Sequence, residues 1–259
     1  MPLRRRAIIG ADEENPFDMS IPQSDTTAGF STGRNLWKAF GVGPKVTQTG
    51  TLVDYLYDQS GNGRHLESTT TSRPTLINAG PKNRPAMLFA GGNDYMQADN
   101  SLAISNFISN SSGWCVVSVM FTAFVLDGAN IYQDDMVWGD SSRYVGTYAR
   151  ATGPTVAAYN WDGNADLAST TSLVTGIPYV LEWVHTDGNV IQRINAGTTI
   201  TTASGNTQVM TGIFSLGGTT SASQAMSGYI WEFTIASTVP SEAVRNQVVQ
   251  QMGKWCGAF

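Results

Sequence analysis

Between residues 85 and 237 the chain is a succession of short apolar runs with nothing helical between them. PAMLFA (85–90), GWCVVSVMFTA (113–123), DMVWG (135–139), RYVGTYA (143–149) and TVAAYNW (155–161) are followed by YVLEWVHT (179–186), NVIQRIN (189–195), TTITTA (198–203), GIFSLGG (212–218) and GYIWEFTIAS (228–237). Gly, Asn, Asp and Pro divide them. β-Branched and aromatic runs punctuated this way predict an all-β sandwich or barrel. Parallel strands need long crossovers, usually helical, so the missing helices exclude a βαβ architecture.

Two turns fix local topology. Asp187-Gly188 lies between two strand-like runs, and both central residues of a type I′ turn need positive φ, so this pair predicts a hairpin. Asn195-Ala196-Gly197 turns the chain again, giving a three-stranded meander over residues 179–203. In YVLEWVHT, Tyr179, Leu181, Trp183 and His185 share one face, and Val180, Glu182 and Val184 share the other. Neither face is purely polar, so this strand is expected to be covered on both sides. His185 then reads as a hydrogen-bonded histidine near a strand end.

One helix is expected, at the C-terminus. Pro240-Ser241-Glu242 supplies a capping hydroxyl and an acidic first turn, and Val244, Val248, Met252 and Trp255 recur at helical spacing. The stripe should dock on the β-structure and the helix should stop near Gly253.

Composition narrows the function. The chain has 259 residues with 15 basic and 20 acidic side chains, a net charge of −5 and only 14% charged residues. Phosphate binding needs a basic face, so a nucleic-acid role is not expected. The one basic cluster, Arg4-Arg5-Arg6, precedes AIIGADEE, too short for a signal-peptide core of about 7–15 apolar residues. No apolar run reaches the ~18 residues of a membrane span, so membrane insertion is not expected. Residues 1–33 have no apolar period and carry Pro2, Pro16 and Pro22, which predicts an extended arm ahead of one domain, 34–259. Cys115 and Cys256 lie far apart without metal-ligand spacing and read as two buried thiols; a disulfide is not predicted.

The densest polar stretch is YDQSGNGRHL, residues 57–66. Gly61 and Gly63 can take positive φ, Asn62 tolerates it, and the Asp58 carboxylate can accept N–H bonds from the residues that follow. With Ser60 and His65 these residues read as a turn pinning a loop to a sheet edge. Next come Arg73-Pro74, then Arg84-Pro85 leading into AMLFAGGNDYM. FSLGG and GYIWEFTIASTVPSEAVRNQVVQQMGKW close the chain. This succession resembles the concanavalin A-like, laminin-G-like jelly-roll domains of bacteriophage virion proteins and bacterial surface proteins, over roughly residues 51–259. The resemblance implies a sandwich of two antiparallel sheets with an extended N-terminal arm and one C-terminal helix.

The same turn is similar to one in the fungal-type arabinofuranosidase B catalytic domain, a resemblance that implies glycoside hydrolysis as an alternative. It needs two carboxylic acids about 5–10 Å apart across a sugar. Glu182 and Glu232 are the best candidates among six glutamates, two of which lie in the arm. Glu232 falls at a glutamate that lectin-like members also carry, and no G-x-S-x-G nucleophile turn is present. No enzyme activity is expected, and no cofactor or metal is assigned.

The sequence reading is therefore a non-enzymatic phage virion surface protein, a capsid decoration or a fibre- or tail-associated protein. It would be made in the host cytoplasm, carried on the virion and homo-oligomeric on the particle. The alternatives are a carbohydrate-binding module of a bacterial surface or secreted protein and a glycoside hydrolase of the same fold. Arg4, Arg5, Arg6, Ile8, Ile9 and Phe17 are the candidate attachment residues for other virion proteins. Cell-surface glycans are the second expected partner. Trp161 with Asp162, Asn164 and Asp166 joins a stacking ring to carboxylate and amide groups. Asp140, Arg143 and Tyr144 offer a second such set.

Overall fold

The computed structural model describes residues 34–38, 46–58, 64–98, 112–124, 135–140, 146–150, 155–160, 165–186, 189–197, 199–203, 212–218 and 225–259. The arm, residues 1–33, lies outside them. The first strands are β1 (Arg34–Lys38), β2 (Val46–Thr49), β3 (Leu52–Leu56), β4 (Leu66–Glu67), β5 (Thr75–Ile77), β6 (Ala86–Ala90) and β7 (Met96–Ala98). Then come β8 (Gly113–Ala123), β9 (Asp135–Asp140), β10 (Gly146–Arg150), β11 (Thr155–Asn160) and β12 (Ala165–Ser172). The last are β13 (Pro178–Thr186), β14 (Asn189–Ile194), β15 (Ile200–Ala203), β16 (Phe214–Leu216) and β17 (Ser227–Ala236), before the helix Glu242–Cys256.

Antiparallel ladders join these strands into one curled sheet. From β15 the path runs through β14, β13 and β8 to β17, whose other edge takes β6 along its first half and β1 along its second. From β6 it continues through β5, β3, β4, β7, β16, β9, β10 and β11 to β12. β12 comes back beside β14 and β15, so the sheet nearly meets itself. Bulges in the β2–β3, β9–β10 and β8–β17 ladders help to bend it, because an extra residue sharpens local twist.

The meander appears as the turns require. Thr186 pairs with Asn189 across two residues, and Asn195 and Ala196 take φ of 53° and 57° in the second turn. β13 is buried on both faces. Tyr179, Leu181 and Trp183 enter the core inside the curl, where Trp138 meets Trp183 edge-on at 5.4 Å and Phe214 packs on Phe233 at 5.4 Å. Val180 and Val184 join Trp114, Val116, Val248, Val249 and Met252 in a second core beneath the helix.

The helix begins at Ser241, whose hydroxyl accepts the Val244 N–H at 3.4 Å. It does not stop at Gly253, as the spacing predicted, but runs to Cys256 and ends on Gly257 at φ 79°. Gly253 serves instead as a floor for the Phe259 ring, which a Cβ there would strike at 2.1 Å. The buried side chains are Val248, Val249, Met252 and Cys256, while Val244 and Trp255 sit half-buried at the margin. β12, ADLASTTS, has no apolar alternation and gave no strand signal in the sequence; β1 to β5 and β7 were also unforeseen.

Candidate functional site

The YDQSGNGRHL segment is described at its two ends. Asp58, nearly buried, follows β3, and its N–H donates to His65 Nδ1 at 3.0 Å. The Arg64 N–H donates to Asp58 Oδ2 at 3.3 Å. Because His65 Nδ1 accepts, the ring of a neutral His65 carries its proton on Nε2. Ser60, Gly61, Asn62 and Gly63 lie outside the described residues. Beside this turn β3 exposes Tyr55, and Tyr57, one residue past its end, is half-buried. Tyr55 and Tyr57 stack with centroids 6.2 Å apart and planes 26° apart, and the His65 ring meets Tyr57 edge-on at 4.9 Å.

The other signature residues hold the scaffold. Arg73 pairs with Asp54 at 2.9 Å, and the Arg84 guanidinium lies 4.0 Å from the centre of the Trp255 ring. In FSLGG, Gly217 takes φ 80° against Phe89, whose ring a Cβ there would meet at 2.2 Å. Its N–H donates to the Val137 carbonyl and its carbonyl accepts the Met226 N–H, which ties three segments together.

Glu182 and Glu232, the best carboxylates for hydrolysis in the sequence, lie on the two strands flanking β8, at the level of Val116 and Ser118. Their register places both on the helix-covered face. Glu232 is wholly buried. Glu182 is 2% exposed and accepts from Trp114 Nε1 at 2.8 Å, from Arg245 Nη1 at 3.1 Å and from Arg193 Nε. Arg193 also donates to Asn246 Oδ1 at 2.6 Å, so the network ties helix to sheet. With one oxygen shared by the Trp114 indole and Arg245 and the other held by Arg193, the carboxylate is tied into the scaffold and turned away from any substrate. Glycoside hydrolysis also needs open space between its two acids, and here a helix fills the face.

The loop candidates are placed only in part. Asp140 ends β9 and Asp166 lies in β12, where Tyr159 is its partner across the ladder. Trp161, Asp162, Asn164, Arg143 and Tyr144 lie outside the described residues, as do Arg4, Arg5, Arg6, Ile8, Ile9 and Phe17. No group of three metal-ligating side chains occurs among the described residues. No helix among them is long and apolar enough to cross a membrane.

No family model matches the chain, and no curated protein sequence matches it. Solved structures do. The fold is similar to Trypanosoma rangeli sialidase in complex with the inhibitor DANA, with a TM-score of 0.57 at 10% identity, covering 83% of this chain and 32% of that one. It is also similar to a GH54 α-L-arabinofuranosidase soaked with a cyclic sulfate inhibitor, with a TM-score of 0.57 at 14% identity, covering 80% and 51%. An arabinofuranosidase complexed with arabinofuranosyl-α-1,2-xylobiose gives a TM-score of 0.55 at 14% identity over the same shares. The chain thus spans about a third of the sialidase and half of the arabinofuranosidase. At these identities the likeness establishes a shared β-fold compatible with a lectin-like jelly-roll.

These neighbours overturn the reading as a phage virion surface protein. They are glycoside hydrolases, and nothing in them points to a bacteriophage particle. The physical reason is visible in the motifs themselves. Arg73, Arg84 and Gly217 brace strands, turn and helix, so their pattern reports a scaffold and carries no information about where the scaffold is used.

Proposed function

We propose that this chain is a carbohydrate-recognising domain of the concanavalin A-like, laminin-G-like class, its curled sheet forming the two layers of a jelly-roll. The observation that carries this reading is the likeness, over four-fifths of the chain, to two glycoside hydrolases acting on chemically different sugars. A fold common to both is a frame for holding glycans, with specificity set by loops. We further propose that the domain binds without cleaving, because Glu182 is committed to two arginines and Glu232 is sealed beneath the helix. The loops carrying Trp161, Asp162, Asn164 and Asp166, and Asp140, Arg143 and Tyr144, remain candidate contacts.

The test is titration calorimetry with a panel of soluble oligosaccharides, with reducing-end release followed in the same samples. Binding without release supports the reading. Release that survives Glu182→Gln and Glu232→Gln makes the chain a hydrolase using other carboxylates. Failure to bind any sugar removes carbohydrate recognition altogether.

A further inference from the structure

We propose that the outward face of β2, β3 and β4, centred on Tyr55 and Tyr57, is a binding site for a neutral oligosaccharide; the inference rests on the carbohydrate reading and gives it a place. Tyr55 is 41% exposed, whereas among the described residues Trp114, Trp138, Trp183 and Trp231 are nearly or wholly buried. An exposed tyrosine leaves an apolar ring in water, and here the half-buried Tyr57, just past the end of β3, stacks beside it.

Both rings are fixed before any ligand arrives. The Tyr55 hydroxyl donates to Glu67 Oε2 at 2.9 Å, and the Tyr57 hydroxyl shares a hydrogen bond with Thr47 Oγ1 at 3.0 Å. His65 closes the end of the row against Tyr57 and is itself held by the Asp58 N–H. A pre-set aromatic platform loses little conformational freedom on binding, which is what a weakly apolar ligand such as a sugar requires. The C–H face of a pyranose or furanose lies on such a ring, and its hydroxyls need acceptors at the rim. Glu67 offers its second carboxylate oxygen, and Thr47 and Gln48 stand exposed beside it. His65 carries a ring N–H as donor.

Charge selects the ligand further. Asp54 is already neutralised by Arg73 and accepts from Thr49 Oγ1 at 2.7 Å. Among the described residues Glu67 has the Tyr55 hydroxyl as its partner and no ion pair, in a chain of net charge −5. A sialylated glycan would bring its carboxylate against Glu67, whereas hydroxyl donors of a neutral sugar are drawn to it. With Glu67, Thr47 and Gln48 around the rings the patch is polar, whereas the buried centre of a protein interface is depleted of charge.

The test is calorimetric titration of the full chain with xylohexaose, an arabinofuranosyl-substituted xylotriose, cellohexaose and sialyllactose. It is repeated on Tyr55→Ala and Tyr55→Phe, with thermal melts as a folding control. Expected are binding of at least one neutral sugar, a loss of tenfold or more in Tyr55→Ala and near-native affinity in Tyr55→Phe. Neutral-sugar binding untouched by Tyr55→Ala overturns this site while leaving carbohydrate recognition standing. Preference for sialyllactose overturns the charge argument. No binding by the wild type to any of the four overturns both site and reading. Should Tyr55→Ala melt early, heteronuclear NMR shifts of the wild type decide, since sugar-dependent changes must then cluster on β2, β3 and β4.

Discussion

At the scale of single residues, the most consequential choice the chain makes is to bury Glu182 with Arg193 and Arg245. Removing one partner of a buried ion pair leaves an uncompensated charge, which costs about 3–5 kcal/mol. Arg193→Ala should therefore lower the stability measured by urea denaturation by that amount, and a loss below about 1 kcal/mol would show the network to be dispensable. The sequence marked Glu182 as a candidate acid because its strand alternation was legible. Its two arginines were not, since one comes from the neighbouring strand and the other from a helix sixty-three residues away in the chain. The two cysteines make a second case. Cys115 lies in the core inside the curl and Cys256 in the core beneath the helix, both as free thiols. Burial pushes Cys115 well above the ordinary thiol range and Cys256 up to about 12. The folded chain thus holds protons that the unfolded chain releases near pH 8.5, so this contribution is intact below about 8.5 and is lost as pH rises toward 12. A thiol reagent at about pH 8 should find no reactive cysteine in the native protein and two after denaturation; labelling of the folded chain at the rate of a free thiol would contradict the burial.

At the scale of elements, the strands that were legible are the ones carrying apolar alternation, β8 and β13 above all. The ones that were not are β12 and the short strands before β6, whose polar residues are held by ladder bonds to neighbours that no local pattern reveals. The helix start was legible because Ser241 acts locally. Its end was not, because Gly253 answers to Phe259 six residues on. The helix covers Val116, Val180 and Val184, and Met252 lies wholly buried among them. Met252→Ala leaves a cavity there and should cost about 2–5 kcal/mol, read from the denaturation midpoint. A change under about 1 kcal/mol would mean that the helix docks more loosely than this packing implies. Gly217→Ala tests the motif reading in the same way. The substitution forces a Cβ into the Phe89 ring at a positive φ, and strain of this kind costs about 1–3 kcal/mol. A sharply lowered melting temperature with unchanged sugar binding is expected. Loss of binding at native stability would instead give Gly217 a functional role.

At the scale of the whole molecule, the fold class was legible and the biological setting was not, because the same scaffold residues serve any protein built on this frame. The sheet itself carries a further consequence. β17, the last strand, lies between β8 on one edge and β6 and β1 on the other, so residues 227–236 join segments beginning at residues 34, 86 and 113. Its Ile230, Phe233 and Ile235 enter the core inside the curl, and the helix that follows closes the second core. Contacts this distant in sequence must pay their loop-closure entropy before any burial rewards them, which places folding in the slow range of about milliseconds to seconds or beyond. A chain ending at residue 226 lacks three ladders and the helix, exposing both cores and three unpaired strand edges, a template for association with other chains. Such a fragment should show no cooperative thermal transition by circular dichroism and should aggregate, whereas a chain of residues 34–259 should melt in a single transition. A soluble fragment 1–226 with a sharp melt would show that the sheet closes without its last strand, and the topology described for β17 would have to be redrawn.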